Sequence, residues 1–324
     1  MEMFLNAFLL GALVNVGAST LQFLTISVLK IAPLHAWFDP IRSVSEVSIP
    51  RFGMYRSVGL FGDPNDVGMV MVCALAIMLP RTIKSGKRRH RILWGGLCLL
   101  TIFAIIGTLS IFAILPALLV ILIFFSLSIN NRIIKNFLIV TNIACLLIIS
   151  LSILRSDTLF SWLGYGYTGE QVFNSFSYLP QAFEEGNIFG RGYGISSDLA
   201  DRFGAPLGST ADRQTYWFYL DQITVQIGLI GVVVWLSLWA MFLYQGYLNI
   251  NIVNQKKSVE YRLTLSIFLC LLGLFLSSLH YGPWRPGGVD LLMYLLWAFV
   301  STSRPVLKTV LFPRKDYDKI KAFA

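Results

Sequence analysis

The residues best suited to chemistry in this chain are arginines. Three polar stretches, 32–64, 155–215 and 280–288, contain Arg42, Arg51, Arg56, Arg155, Arg191, Arg202, Arg213 and Arg285 and no lysine, although ten of the 26 basic residues are lysine. A guanidinium is a rigid fork that grips phosphate or carboxylate through two parallel hydrogen bonds, which an ammonium cannot do. Phosphate is one ligand class that suits such stretches. Pairing with neighbouring carboxylates is the other, because 155–215 also carries Asp157, Glu170, Glu184, Glu185, Asp198, Asp201 and Asp212. With four arginines against seven carboxylates this stretch is no basic patch, so a phosphate site there needs a few converging arginines.

Other residues complete the chemical inventory. Gly190-Arg191-Gly192-Tyr193-Gly194 places an arginine and a tyrosine between glycines, where the backbone can turn sharply and approach a ligand closely. Asp221, one turn after Trp217 at the start of an apolar segment, is the best candidate for a general base, since an ionisable group at such an edge is costly unless used or paired. Pairing with Arg213 or capping the segment is its alternative role. His280 and Arg285 share a turn with Tyr281, Pro283 and Trp284 and suit the lining of a cavity or an interface. The four cysteines lie inside apolar runs without metal-ligand spacing, so no disulfide framework or metal site is expected.

These residues have to be positioned by a membrane protein. The chain of 324 residues is 56% hydrophobic and 13% charged, more apolar surface than a soluble domain of that size can hide. Apolar runs predict an all-α, polytopic fold of about eight transmembrane helices: 4–31, a short span ending at 79, 92–107, 111–129, 137–154, 217–244, 263–279 and 289–302. The first run begins Met-Glu-Met, without the basic start of an export signal, and is read as an uncleaved helix. The second is the shortest, its purely apolar part being about two-thirds of the ~20 residues a span needs.

The chain therefore divides into helices one to five with a first outer loop at 32–64 (1–154), a large loop (155–215), and helices six to eight with a basic tail (216–324). Placing the termini and the loops at 81–91, 130–136 and 247–262 inside puts 17 Lys/Arg there against 8 outside, so both termini are expected in the cytoplasm and the large loop outside. The net charge of +9 then reflects orientation signals and not nucleic-acid binding. Within the loop, Val172, Phe173, Phe176, Leu179 and Phe183 recur at helical spacing, which predicts an amphipathic helix lying along the membrane surface over 172–185.

Three motifs carry a resemblance. Arg56-Ser-Val-Gly-Leu-Phe-Gly-Asp-Pro-Asn65, leading into a span, resembles the arginine-glycine-proline-asparagine signature of the O-antigen ligase and polymerase family. Asn187-Ile-Phe-Gly190-Arg-Gly192-Tyr-Gly194 is similar to the glycine-rich stretch of that family's periplasmic loop, and Gln226-Ile-Gly228-Leu-Ile-Gly231 to the pattern that begins the following span. They fall in the family's order over residues 50 to 290.

The resemblance implies a GT-C-like glycosyltransferase, needing neither metal nor cofactor, that takes a glycan from an undecaprenyl-diphosphate carrier at the outer face of the inner membrane. It implies that Arg56, and by a looser match Arg191, hold the diphosphate; Asp221, the further catalytic candidate, rests on its position after Trp217 and not on the resemblance. Arg51, Asn65, Tyr193, Arg213, His280 and Arg285 are the expected substrate-binding set. Trp217 stands where ligases carry a histidine, and the family's Thr-x-Ser-Arg turn reads Thr108-Leu-Ser-Ile111. Polymerase-like activity is therefore the first expectation. Ligation to a lipid core, transport of a lipid-linked glycan and an inactive, shortened copy stay open. Expected partners are the lipid-linked glycan, the bilayer and other polysaccharide-assembly proteins such as a chain-length regulator, with no nucleic acid.

Overall fold

The computed structural model describes residues 2–31, 54–61, 63–83, 88–129, 131–155, 184, 186, 188–190, 219–253, 259–278, 293 and 295–301. Among them the regular structure is helical, with no strand. The helices are α1 (Glu2–Gln22), continued by a π-helical turn (Phe23–Val28), α2 (Pro64–Ile83), α3 (Arg88–Gly107), α4 (Ile111–Ser128), α5 (Arg132–Arg155), α6 (Tyr219–Ile252) and α7 (Val259–Ser278). Residues 295–301 are helical as well. Six of these helices are long and apolar enough to cross a membrane: α1 with its π turn, α2, α3, α4, α6 from Ile227 onward, and α7. The chain is thus an all-α membrane protein.

Helices extend past the apolar runs that announced them. α3 begins at Arg88 and α5 at Arg132, each four or five residues before its expected span, because a basic side chain at a helix end can reach the interface while its backbone stays helical. α2 is the instructive case. Its apolar run is the shortest, yet it packs against α1, α3, α4 and α7 and its core residues from Val67 to Met78 are almost wholly buried. A helix surrounded by protein can carry polar ends, since neighbouring helices and not lipid satisfy them. Two contacts keep its neighbours close: a Cβ on Gly68 would fall 2.4 Å from that of Ala113 on α4, and one on Gly273 of α7 would fall 2.6 Å from Val72. Trp239 of α6 joins the other side of the bundle, with Phe275 of α7 at 5.4 Å and Trp297 at 5.2 Å between ring centroids.

Side-chain contacts sort the helix ends onto two faces. On one, Arg81 at the end of α2 donates to Asn6 near the start of α1 (2.6 Å), Tyr247 of α6 reaches Asn136 of α5 (3.3 Å), and Asn249 donates to the Val300 carbonyl (3.3 Å). The basic runs at 88–91 and 132–135 lie on this face. On the other, Ser57 meets Gly107 at the end of α3, and Ser277 near the end of α7 meets Phe112. Of the predicted surface helix over 172–185 only Glu184 is described, and it is exposed.

Candidate functional site

The second face holds a buried polar cluster built from three distant segments. It starts on α1, where Asn15, Ser19 and Gln22 follow one another at helical spacings of four and three and so share one stripe. That stripe grips residues 57–60. Gln22 Nε2 donates to the Gly59 carbonyl (2.9 Å), while its Oε1 accepts from the amides of Val58 (3.0 Å) and Gly59 (2.8 Å). Asn15 Oδ1 accepts from the Leu60 amide (3.1 Å), and Ser19 Oγ donates to Ser57 Oγ (2.6 Å). The π turn that follows widens the helix and brings Ser27 to Tyr55, whose amide it accepts from (2.9 Å) and whose carbonyl it donates to (2.7 Å). Backbone groups in apolar surroundings must find partners, and here the polar stripe of α1 supplies them.

Held in this way, the segment directs Arg56 inward, to 3% exposure. Its Nε donates to the Thr108 carbonyl (2.9 Å) and its Nη2 to Asn65 Oδ1 (3.0 Å). Asn65 Oδ1 also accepts from Ser110 Oγ (2.5 Å). Ser110 is the N-cap residue of α4, yet its hydroxyl makes no capping bond to its own helix and goes to Asn65 instead. A cap serine used elsewhere marks a local preference overridden by the site. Leu109, between Thr108 and Ser110, has a left-handed φ of 49°, an uncommon conformation for that residue type that the tight turn requires. The Asp-Pro-Asn part of the motif has a structural task too: Asp63 Oδ1 accepts from the Asn65 amide (2.6 Å) as the N-cap of α2, with Pro64 in the first helical position.

A second junction forms on the same face. α6 departs from helical geometry at Gly228 (φ 77°, ψ −170°), and the loop backbone at Ile188–Gly190 seats in the break. A Cβ at Gly228 would lie 2.3 Å from the Ile188 carbonyl oxygen and 2.3 Å from the Gly190 nitrogen, so only glycine fits. The Ile230 amide donates to the Ile188 carbonyl (3.2 Å).

No family model matches the chain, and no curated protein or solved structure matches it. Of the expected site set, Arg56 and Asn65 are brought into direct contact. Asp221 stands in the first turn of α6, the turn nearest this face. Arg51, Arg191, Tyr193, Arg213, His280 and Arg285 lie outside the described residues, although Arg191 directly follows the docked Gly190. Three of the four cysteines are buried and Cys145 is exposed on α5. Among the described residues no group of three His, Cys, Asp or Glu side chains is arranged to hold a metal ion.

The clamp residues Asn15, Ser19, Gln22 and Ser27 were not expected at the site. For the first three the signal was the 4-3 spacing of polar residues inside an apolar span, since polar groups at membrane depth are rare unless they have partners. As placed, the cluster buries a permanent cation at the end of α2 whose partial positive charge is also directed there. Asp63 and Asp66 stand at the same helix end, so part of that positive charge is answered within the protein. The cluster also fixes the segment that carries the cation.

Proposed function

We propose that the chain is a glycan polymerase-like transferase that joins undecaprenyl-diphosphate-linked oligosaccharide units at the outer face of the inner membrane, with both termini in the cytoplasm. The observation that carries this reading is the meeting of two resemblance-bearing segments, Gly190 with Gly228, on the face of the bundle where the third buries its Arg56–Asn65 pair. Residues far apart in sequence that resemble one family's motifs, and that touch at one end of a helical bundle, suit a single working surface.

The chemistry asks for charge and position. A lipid diphosphate is already a good leaving group, so the enzyme must stabilise the negative charge that grows on it and hold an acceptor hydroxyl in line. In this reading Arg56 acts in a low-dielectric setting, where a fixed cation has a larger effect than in water, and Arg191 provides the contact from the loop. Arg51, Arg213 and Arg285 add to the anion site, Asn65 orients Arg56, Tyr193 and His280 line the glycan path, and Asp221 takes the acceptor proton. Deleting the gene should leave single repeat units on the carrier. Long polymer that never reaches a lipid core would point to ligation instead, and an unchanged glycan would overturn the transferase reading.

The break at Gly228 favours a second reading. Transporters commonly build substrate sites at interrupted helices, and α6 is interrupted where loop backbone meets it. Reconstitution separates the two. Purified protein in vesicles loaded with lipid-linked units should lengthen them under the first reading, whereas movement of unlengthened units between leaflets would support transport.

A further inference from the structure

The seat in α6 leaves two apolar side chains of the long loop uncovered. Ile188 is 48% exposed and Phe189 79% exposed. They form the tip of a tight bend: Gly186 and Gly190 both have left-handed φ (64° and 73°), and the Ile188 amide closes back onto the Gly186 carbonyl at 2.8 Å. Glycines in that conformation at both ends reverse the chain within a few residues. The tip rests on α6 where Ile230 donates to Ile188.

Depth decides what the tip faces. The apolar span of α6 runs Ile227–Ile252, so the break at Gly228 and the contact at Ile230 both fall within its apolar sequence. Around the seat α6 presents Ile227, Ile230, Val233 and Val234, all exposed and apolar, as a lipid-facing helix does. The tip continues that surface. The Ile188 amide and carbonyl both have hydrogen-bond partners, the first in Gly186 and the second in Ile230, as backbone groups entering hydrocarbon require. In water, an open phenyl ring together with five open aliphatic side chains would be an aggregation-prone patch. Among acyl chains it is an anchor.

We propose that Ile188 and Phe189 form a wedge that dips into the bilayer on the Arg56 side of the bundle, with lipid acyl chains as its partner, so that the long loop is pinned to the membrane at the break in α6. This proposal is independent of the transferase reading, since it concerns only where the loop lies.

Spin-label accessibility tests it on the full chain in phosphatidylethanolamine–phosphatidylglycerol vesicles. Replacing Cys145 by serine leaves Cys73, Cys98 and Cys270 buried, and a nitroxide is then placed at Phe189→Cys or at Ile188→Cys. Both labels are expected to collide with oxygen in preference to a water-soluble nickel chelate, as a label at Val233→Cys should, whereas Arg89→Cys should show the reverse order. Two labels that follow the Arg89 pattern would overturn the wedge. Protection from both colliders would overturn it too, by showing that protein covers the tip, and so would a lipid signal at only one of the two positions.

Discussion

Arg56 and Arg81 bracket the same helix and are held in opposite ways. Arg56 precedes α2 and is buried against fixed acceptors, one a backbone carbonyl in the α3–α4 turn and the other a side chain shared with Ser110. Arg81, in the last turn of α2, is only half-buried, donates to the exposed Asn6, and lies over the Trp94 ring at 4.8 Å. At the first end two nitrogens of the guanidinium each meet a separate acceptor, so its shape matters. At the second end charge matters more than shape, because a ring face attracts any nearby cation. A similar arrangement recurs on that face, where Lys135 stands 5.8 Å from the Tyr247 ring. The two ends of the bundle therefore differ in kind: one is a specified polar core, the other a basic surface.

The strongest way to break that contrast is to replace Arg56. Arg56→Met leaves Asn65 without its charged donor and the Thr108 carbonyl without its guanidinium, and removing a charged hydrogen-bonding partner in a buried site costs roughly 3 kcal/mol. Thermal unfolding in detergent should show a clear loss. Arg56→Lys keeps the charge but cannot reproduce the fork, so both stability and polymer output should fall. Near-parental behaviour of both variants would show that shape is not used at this end. Arg191→Lys should lower polymer output at unchanged abundance.

Next in size is Gly228→Ala. Its Cβ would meet two backbone atoms at 2.3 Å, neither of which can swing aside as a side chain can, and the φ of 77° is itself strained for alanine. We expect a destabilisation of about 1–3 kcal/mol, together with faster proteolysis of the loop near Gly186 in intact vesicles. Unchanged protease resistance would show that the loop is held elsewhere. A smaller effect follows for Gln22→Leu, which removes three hydrogen bonds to Val58 and Gly59 but adds apolar volume in the same place, for a net cost of about 1–2 kcal/mol. The readout is again the unfolding midpoint, and a variant as stable as the parent would mean that the α1 stripe does not hold Arg56 in place.

The contrast also explains what could be read from the chain. Six of the eight expected spans correspond to helices long and apolar enough to cross a membrane, because membrane-spanning segments must be continuous. Their ends were not legible: Arg88 and Arg132 look like loop residues in a sequence, although they sit in the first turn of a helix. α2 looked weakest for a related reason, since hydropathy assumes lipid around a helix and α2 has protein around it. Arg56 and Asn65 were legible through their motif. Asn15, Ser19 and Gln22 were visible as polar residues within a span, but their role required knowing that the 54–61 segment lies against them. Nothing in Gln226-Ile-Gly-Leu-Ile announces a break, because the loop backbone that seats there comes from about 40 residues earlier, and local pattern does not carry that information.

The smallest expected effect is the one that sharpens the comparison most. Arg81→Lys keeps a cation on a stem long enough to reach the Trp94 face, and a cation over an indole at a partly exposed site is worth about 0.5–1 kcal/mol with either residue type. What is lost is the single bond to Asn6, made near the protein surface where water can replace it. The unfolding midpoint should therefore move by less than about 1 kcal/mol equivalent, and polymer output should not change. Arg81→Gln, which removes the charge, should cost more than Arg81→Lys but still much less than Arg56→Lys. If instead the lysine variant at 81 loses as much as the lysine variant at 56, both arginines are being used for their geometry, and the basic face is as specified as the polar core.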